Sequence, residues 1–340
     1  MTDQFTVGVT GAAGYIGSRV LYELQDAHPE WNVVAIDNFY LGDVREVGDV
    51  QIQHLDVRDR RGLEEAFADV DVVFHLAAIS GVDDCDENRD RSYEVNVQGT
   101  NNVAYFCQQH GAGLVFPASM AIFGDPDSFP ITTDLPRDPL NWYGRTKVLG
   151  ERAIEGFADG AFPAHVFVKS NLYGDHWIGG ERITKGTVIN FVVGRALAEE
   201  PLTVYEPGTQ SRNFIHVVDV ARAYVRSAER MHEQLQEGHT GVETYPLASD
   251  QDPSVSEIAE LVKQSATEHG LETSIELVEN PRSAETMVEE FSVDTSRTHE
   301  ELGWYPEHDV AVSINQLISE NVDPDRQEPR ASTAGSSAND

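Results

Sequence analysis

Cysteine and lysine are scarce in this chain of 340 residues. Two cysteines occur, Cys85 and Cys107, and lysine stands only at Lys147, Lys169, Lys185 and Lys263. Two thiols in no metal-ligand spacing exclude a disulfide framework and a structural metal site, and favour a reducing compartment. No apolar run is long enough to span a bilayer. Met1-Thr2-Asp3-Gln4 opens no basic or apolar leader, so a cytoplasmic protein is expected. Positive charge is also short: 24 basic residues face 58 acids, for a net charge of −34. That balance argues against nucleic acid or an anionic membrane as partner. The acids are dispersed, as in Asp83-Asp84, Glu199-Glu200 and Glu289-Glu290. Dispersal predicts a protein of a salt-loaded cytoplasm, as in a halophile, where salt screens self-repulsion.

What is present begins with the apolar run Phe5-Thr6-Val7-Gly8-Val9, which leads into Thr10-Gly11-Ala12-Ala13-Gly14-Tyr15-Ile16-Gly17. Beyond it Val20, Leu21 and Leu24 share one helical face. This is a strand, a tight turn and a helix. Gly11 suits a backbone shape that a Cβ resists. Gly14 lets the main chain approach a pyrophosphate that the helix N-terminus then stabilises. Gly17 permits close packing of helix on strand. The pattern predicts a dinucleotide site. A second strand, Trp31 to Ile36, ends at Asp37-Asn38, where a carboxylate accepts from an adenosine ribose 2′-OH and repels a 2′-phosphate. NAD is therefore expected rather than NADP.

Strands at Val50–His54, Val70–Ala78, Leu114–Pro117 and His165–Val168 alternate with helical segments. Alternation at this spacing predicts an α/β fold, a Rossmann-type doubly wound parallel sheet with a smaller C-terminal α/β substrate-binding lobe. The expected division is 1–174 for the NAD-binding domain, with a return near 212–235, and 175–321 mostly for the substrate lobe. Residues 322–340 read as a disordered tail. His75 reads as a structural histidine. Val255 to Thr267 reads as an amphipathic helix.

A second constellation is Tyr143-Gly144-Arg145-Thr146-Lys147. Tyrosine and lysine four apart share a helical face. A phenol titrates near ~10, too high for a neutral-pH base. An adjacent ammonium and a nicotinamide cation would favour the phenolate. Ser119, at another strand end, can donate to a developing alkoxide.

These motifs together resemble the extended short-chain dehydrogenase/reductase family, within it the NAD-dependent nucleotide-sugar epimerases and dehydratases. The resemblance rests on the glycine turn, Asp56-Val57, His75-Leu76-Ala77-Ala78, Asn96-Val97-x-Gly99-Thr100 and Tyr143-x-x-x-Lys147. It runs from about Phe5 to about Ile318. It implies a catalytic triad of Ser119, Tyr143 and Lys147. It also implies cofactor contacts from Gly11, Gly14, Tyr15, Ile16, Gly17, Asp37, Asn38, Asp56, Val57, Leu76, Ala77, Ala78, Asn96, Tyr143 and Lys147. Substrate contacts are implied at Ser119, Asn171, Tyr205, Arg212 and Arg282. Phe291 stands near the position where relatives gate the sugar pocket, favouring unacetylated sugars, and a homodimer through the long helices of the first lobe is implied as well.

Ser119-Met120-Ala121-Ile122-Phe123-Gly124 departs from the dehydratases, which resemble Thr-Asp-Glu-Val-Tyr-Gly here and need the acid pair to move water. Met120 and Ala121 cannot transfer protons. The reading is a 4-epimerase of nucleotide sugars, of the UDP-glucose/UDP-galactose type, working through a 4-keto intermediate. Other readings stay open: an NAD-dependent dehydrogenase of a sugar, uronate or threonine, a nucleotide-sugar dehydratase, or a non-catalytic NAD-binding protein.

Overall fold

The computed structural model describes residues 4–281 and 287–322. Arg282 and the expected tail beyond Val322 lie outside the described residues. Strand β1 (Thr6–Thr10) is buried throughout and feeds the glycine turn into α1 (Tyr15–Ala27), whose Val20, Leu21 and Leu24 face inward. Next come β2 (Asn32–Asp37), the short β3 (Glu46–Val47), β4 (Val50–His54) and α2 (Arg60–Ala66). Strand β5 (Val72–His75) and α3 (Val82–Glu87) lead to a nearly continuous helix. It runs as α4 (Arg89–Tyr93), a π-helical turn over Glu94–Gly99, and α5 (Thr100–His110). Then follow β6 (Gly113–Ser119), α6 (Trp142–Ala158) and β7 (Pro163–Lys169).

The remainder is made of shorter pieces: β8 (Asn171–Tyr173), β9 (His176–Ile178), β10 (Glu181–Ile183), α7 (Val188–Leu197), β11 (Leu202–Tyr205) and β12 (Phe214–His216). After them come α8 (Val217–Glu237), β13 (Gly241–Leu247), α9 (Val255–Glu268), β14 (Ile275–Val278), α10 (Ser296–Leu302) and α11 (Val310–Val322).

The main sheet has eight strands in the order β13-β7-β6-β5-β1-β2-β4-β3, all parallel except β3. Helices α1 and α8 pack together on one core with β1 and β5, while α5 and α6 pack over the other face. Burial of apolar side chains on both faces is what a parallel sheet requires. Strand order reverses about β1 and β5, so a crevice opens outside their carboxyl ends, the usual ligand position in such sheets.

Residues 241–247 join the main sheet as β13, paired with β7 from Gly241↔Pro163 to Leu247↔Lys169. The helix α8 supplies the crossover that a parallel neighbour demands. A third core, with Tyr173, Phe214, Ile189, Ile258 and Ile314, holds α7, α9 and α11 around the small sheets β8–β12 and β11–β14. Helix α9 starts as expected, with a capping box in which Ser254 and Glu257 satisfy each other's backbone N–H.

Candidate active site

A cleft of about 550 Å³ opens at the carboxyl ends of the central strands, between the glycine turn and the α6 N-terminus. Its first wall is that turn. Gly11 has φ +67°, and a Cβ there would stand 2.6 Å from the Ala77 nitrogen. A Cβ on Gly17 would fall 2.1 Å from the Gly11 carbonyl oxygen. Gly14 precedes α1, and a Cβ on it would meet only the Gly11 oxygen, at 3.3 Å. Gly11 is thus required by conformation, Gly17 by packing, and Gly14 leaves open room before a helix N-terminus. That is an anion-binding arrangement. Tyr15 and Ile16 line the same wall.

Asp37 ends β2 at the cleft, where its carboxylate accepts from the Ala13 N–H at 3.0 Å and the Phe39 N–H at 2.7 Å. Burial pushes its pKa up, while these amides oppose the shift. Asn38 donates to Asp56 at 2.8 Å, and Arg58 holds the Asp56 carboxyl well below the usual range. Asn38, Val57, Leu76, Ala77 and Ala78 line the cleft. Asp56 does not; it braces Asn38 from behind.

Asn96 is buried, its Oδ1 accepts from the Ile79 N–H at 2.8 Å, and its Nδ2 donates to the Ile79 carbonyl at 2.9 Å. The same amide donates to Thr146 Oγ1 at 3.1 Å. Asn96 therefore positions the loop that lines the cleft and does not line it itself. The π-helical turn sets its side chain against that loop, a local widening often found at functional sites. His75 is structural, as expected: its ring bridges Thr10 and Thr100 at 2.9 and 3.0 Å, and burial lowers its pKa to about 3.

The second wall carries the hydroxyl chemistry. Ser119 ends β6 and accepts from the Ala121 N–H at 3.3 Å. Tyr143 enters from the first turn of α6, which Asn141 caps by accepting from the Gly144 N–H at 2.9 Å. The Ser119 hydroxyl faces the Tyr143 phenol closely enough to favour its ionised form. Lys147, 4 % exposed, donates from Nζ to the Pro117 carbonyl at 2.9 Å and lies 6.0 Å from the Tyr143 ring centroid.

In the protein by itself, burial pushes the Tyr143 phenol up to about 12, and the nearby Ser119 hydroxyl is the opposing influence. Burial brings Lys147 down to about 8. Desolvation disfavours the charged form of both groups. The phenolate needs a positive charge brought in with the bound molecules.

A third wall was missed in the sequence. Residues Glu181 to Lys185, from β10 and the loop after it, close over the cleft together with Lys169 at the end of β7. Lys185 donates to Ser80 Oγ at 2.5 Å. Tyr15 binds this part of the chain to the glycine turn, donating to the Tyr173 and Gly174 carbonyls at 3.0 and 2.7 Å. His176 Nε2 in turn meets the Tyr15 carbonyl oxygen at 2.9 Å. Gly42 was missed too: a Cβ there would lie 2.2 Å from the Ala13 oxygen. The lysines had one available signal, their rarity elsewhere in the chain. Gly42 had none, because its constraint comes from a distant loop.

The expected nucleotide contacts are less gathered. Asn171 turns its amide to the Asn213 carbonyl at 3.1 Å, while its neighbour Leu172 lines the cleft. Arg212, 8 % exposed, donates to the Ser211 carbonyl at 2.7 Å. Tyr205 ends β11. Asn171, Tyr205 and Arg212 do not line the cleft. Phe291 is buried in the core beside Ile131 and Phe123 rather than at the cleft.

A model of the NAD dependent epimerase/dehydratase family matches residues 7–241. The UDP-glucose 4-epimerase of Corynebacterium glutamicum is 30 % identical over 88 % of this chain and 90 % of its own length. Among solved structures, MoeE5 in complex with UDP-glucuronic acid and NAD superposes with a TM-score of 0.78 at 27 % identity, covering 92 % of this chain and 98 % of that one. UDP-glucose-4-epimerase from Stenotrophomonas maltophila, with bound NAD and formylated UDP-arabinopyranose, gives a TM-score of 0.81 at 25 % identity, covering 95 % and 99 %.

Proposed function

This chain belongs to the NAD dependent epimerase/dehydratase family, and we propose that within it the protein is a nucleotide-sugar 4-epimerase working by reversible oxidation at a single carbinol. It is an NAD-dependent isomerase, and its relatives support nucleotide sugars as the substrate class. The observation that carries the reading is the Ser119–Tyr143 pair set beside Lys147, across a cleft from the glycine turn.

The residues present fit a dinucleotide, because a Cβ on Gly11 or Gly17 would collide with backbone while the α1 N-terminus stays open. Gly14 to Gly17 and Ala77 would hold the pyrophosphate, Asp37 the adenosine ribose, and Lys147 the nicotinamide ribose. When bound, NAD supplies the site that accepts and returns hydride, together with a positive charge near the phenol. Tyr143 removes the proton of the 4-hydroxyl as hydride leaves C4, giving a 4-keto sugar. Ser119 holds the carbonyl oxygen through its hydroxyl. After the sugar turns over, hydride would come back to the opposite face of C4 while Tyr143 returns the proton to the oxygen, which gives the 4-epimer. A general acid–base group in such a position supplies about 10²–10⁴-fold in rate.

Elimination of water finds no help from the turn after Ser119. Met120 is buried in the core and Ala121 has no proton to move. Among the described residues no helix is long and apolar enough to cross a membrane. Homodimer formation through α5 and α6 belongs to the same proposal, with the exposed Leu149 on α6 as an apolar contact point.

The test is incubation of the purified protein, in high salt, with UDP-, dTDP- and GDP-sugars without added NAD, followed by product chromatography. Interconversion of a 4-epimer pair is the expected outcome. NADH accumulating only with added NAD and a free sugar, uronate or threonine would replace the reading by a dehydrogenase.

A further inference from the structure

Lysine is confined to four positions in a chain of net charge −34, and three of them, Lys147, Lys169 and Lys185, line one cleft. They arrive from three separate elements: the helix α6, the end of β7 and the loop after β10. Lys147 is accounted for by the catalytic pair. Lys169 and Lys185 are not.

Lys169 is the strand partner of Ser119, so the two backbones lie side by side at the carboxyl end of the sheet. Adjacent parallel strands run about 4.8 Å apart, which sets Lys169 beside the reacting carbinol. Its electrostatic surroundings are burial, Lys147 and Lys185, and all three act against its charge. Lys185 differs in part, since Asp84 offsets its charge and Ser80 Oγ accepts a hydrogen bond from its Nζ. A cation held beside two other cations, with no carboxylate among the described residues acting to balance it, is costly unless a ligand anion completes the group.

We infer that Lys169, with Lys185, forms a carboxylate subsite at the sugar end of the cleft, so that the substrate is a nucleotide-linked uronic acid. The inference rests on the 4-epimerase reading. In a pyranose the exocyclic carbon is attached to C5, next to the C4 that Tyr143 and Ser119 serve. An oxidised exocyclic carbon therefore presents its carboxylate two bonds beyond the reacting centre, beside the strand that carries Lys169. The nucleotide diphosphate lies at the other end of such a substrate and cannot reach that position while C4 meets Tyr143. On so acidic a protein, one more negative charge on the ligand must be met locally.

The test compares UDP-glucuronate with UDP-glucose, two substrates identical up to C5, so that all nucleotide and diphosphate contacts cancel in the ratio of kcat/KM. The expected result is a higher kcat/KM for the uronate with the unaltered protein. In Lys169→Met that ratio falls by ~10–100-fold, the loss of a hydrogen bond to a charged group, and Lys169→Arg recovers part of it. A ratio favouring the neutral sugar, or one unmoved by Lys169→Met, overturns the subsite while leaving the epimerase standing. If Lys169→Met does not fold, the ratio of the unaltered protein alone decides. Absence of any 4-epimer from every nucleotide sugar overturns the underlying reading instead, and is seen in the same chromatograms.

Discussion

Asn96 holds both backbone polar groups of Ile79, accepting from its N–H at 2.8 Å and donating to its carbonyl at 2.9 Å. One side chain thereby substitutes for a missing strand neighbour at the point where β5 has ended and the cleft wall begins. Replacing it by Leu leaves two buried backbone groups unpaired. Asn96→Leu should lose about 2–6 kcal/mol of stability, read by urea denaturation, and weaken NAD binding through the displaced Ala77 and Ala78. Unchanged denaturation would show that the loop holds itself.

Tyr143→Phe keeps the ring that packs beside Ala77 and Val57 and removes the proton acceptor. Epimerisation should fall about 10²–10⁴-fold, with NAD still bound, as measured by the nucleotide released on denaturation. Turnover within a few-fold of the unaltered protein would take Tyr143 out of the chemistry.

Gly42→Ala tests the close approach between the loop after β2 and the glycine turn. The new methyl would lie 2.2 Å from the Ala13 oxygen, so the turn must move. NAD affinity should drop at least about tenfold, while Gly156→Ala, which meets nothing within 4 Å on α6, should leave it unaltered. Equal effects from the two would refute the contact.

Lys169 predicts a pH dependence whose sign follows from its environment. Its ordinary value of 10.5 falls to about 7 in the folded protein. Between those values the unfolded chain binds the proton and the folded one does not, so stability contributed at this site rises with pH across the window. Lys169→Met should therefore raise Tm below pH 7, with the gain shrinking toward pH 10.5. A gain independent of pH would assign the effect to packing. Binding of an anion between the lysines restores the charge, so ligand binding at pH 8 should take up protons, measured by calorimetry in buffers of different ionisation enthalpy.

The net charge of −34 predicts that Tm rises from dilute buffer to molar KCl. Many of the surface acids are engaged in pairs such as Arg61–Glu65 and Arg152–Glu155, yet exposed pairs of this kind contribute little. Equal Tm values in both conditions would remove the salt requirement.

How far these features could be read in advance depends on the range of the interaction behind them. The glycine turn was legible because the positive φ of Gly11 and the approach of Gly17 to the Gly11 carbonyl arise within the turn itself, and Ser119, Tyr143 and Lys147 because strand ends and helix periodicity place them. Asn96 was recognised as part of the site, but its hold on the Ile79 backbone was not, since only the π-helical turn shows which way its amide faces. The pairing of β13 with β7 joins segments separated by everything from β8 to α8, and no local pattern records it. Gly42 answers to Ala13, and Lys185 to Ser80, across distances of the same kind. Arg212 and Asn171 look alike as polar residues near strand ends, yet their side-chain bonds run to the Ser211 and Asn213 carbonyls, which spacing does not show.

The gathering of three lysines in one cleft makes this a protein whose amines report on its active site. A reagent that acylates or reductively alkylates primary amines usually scatters over a surface. Here, apart from the amino terminus, the choice is Lys263 on α9 or the cleft. Lys169, held partly as the free base near neutrality, is the natural nucleophile among them. Gentle amine labelling should thus behave as affinity chemistry without an affinity group, and ligands can be ranked by the protection they give.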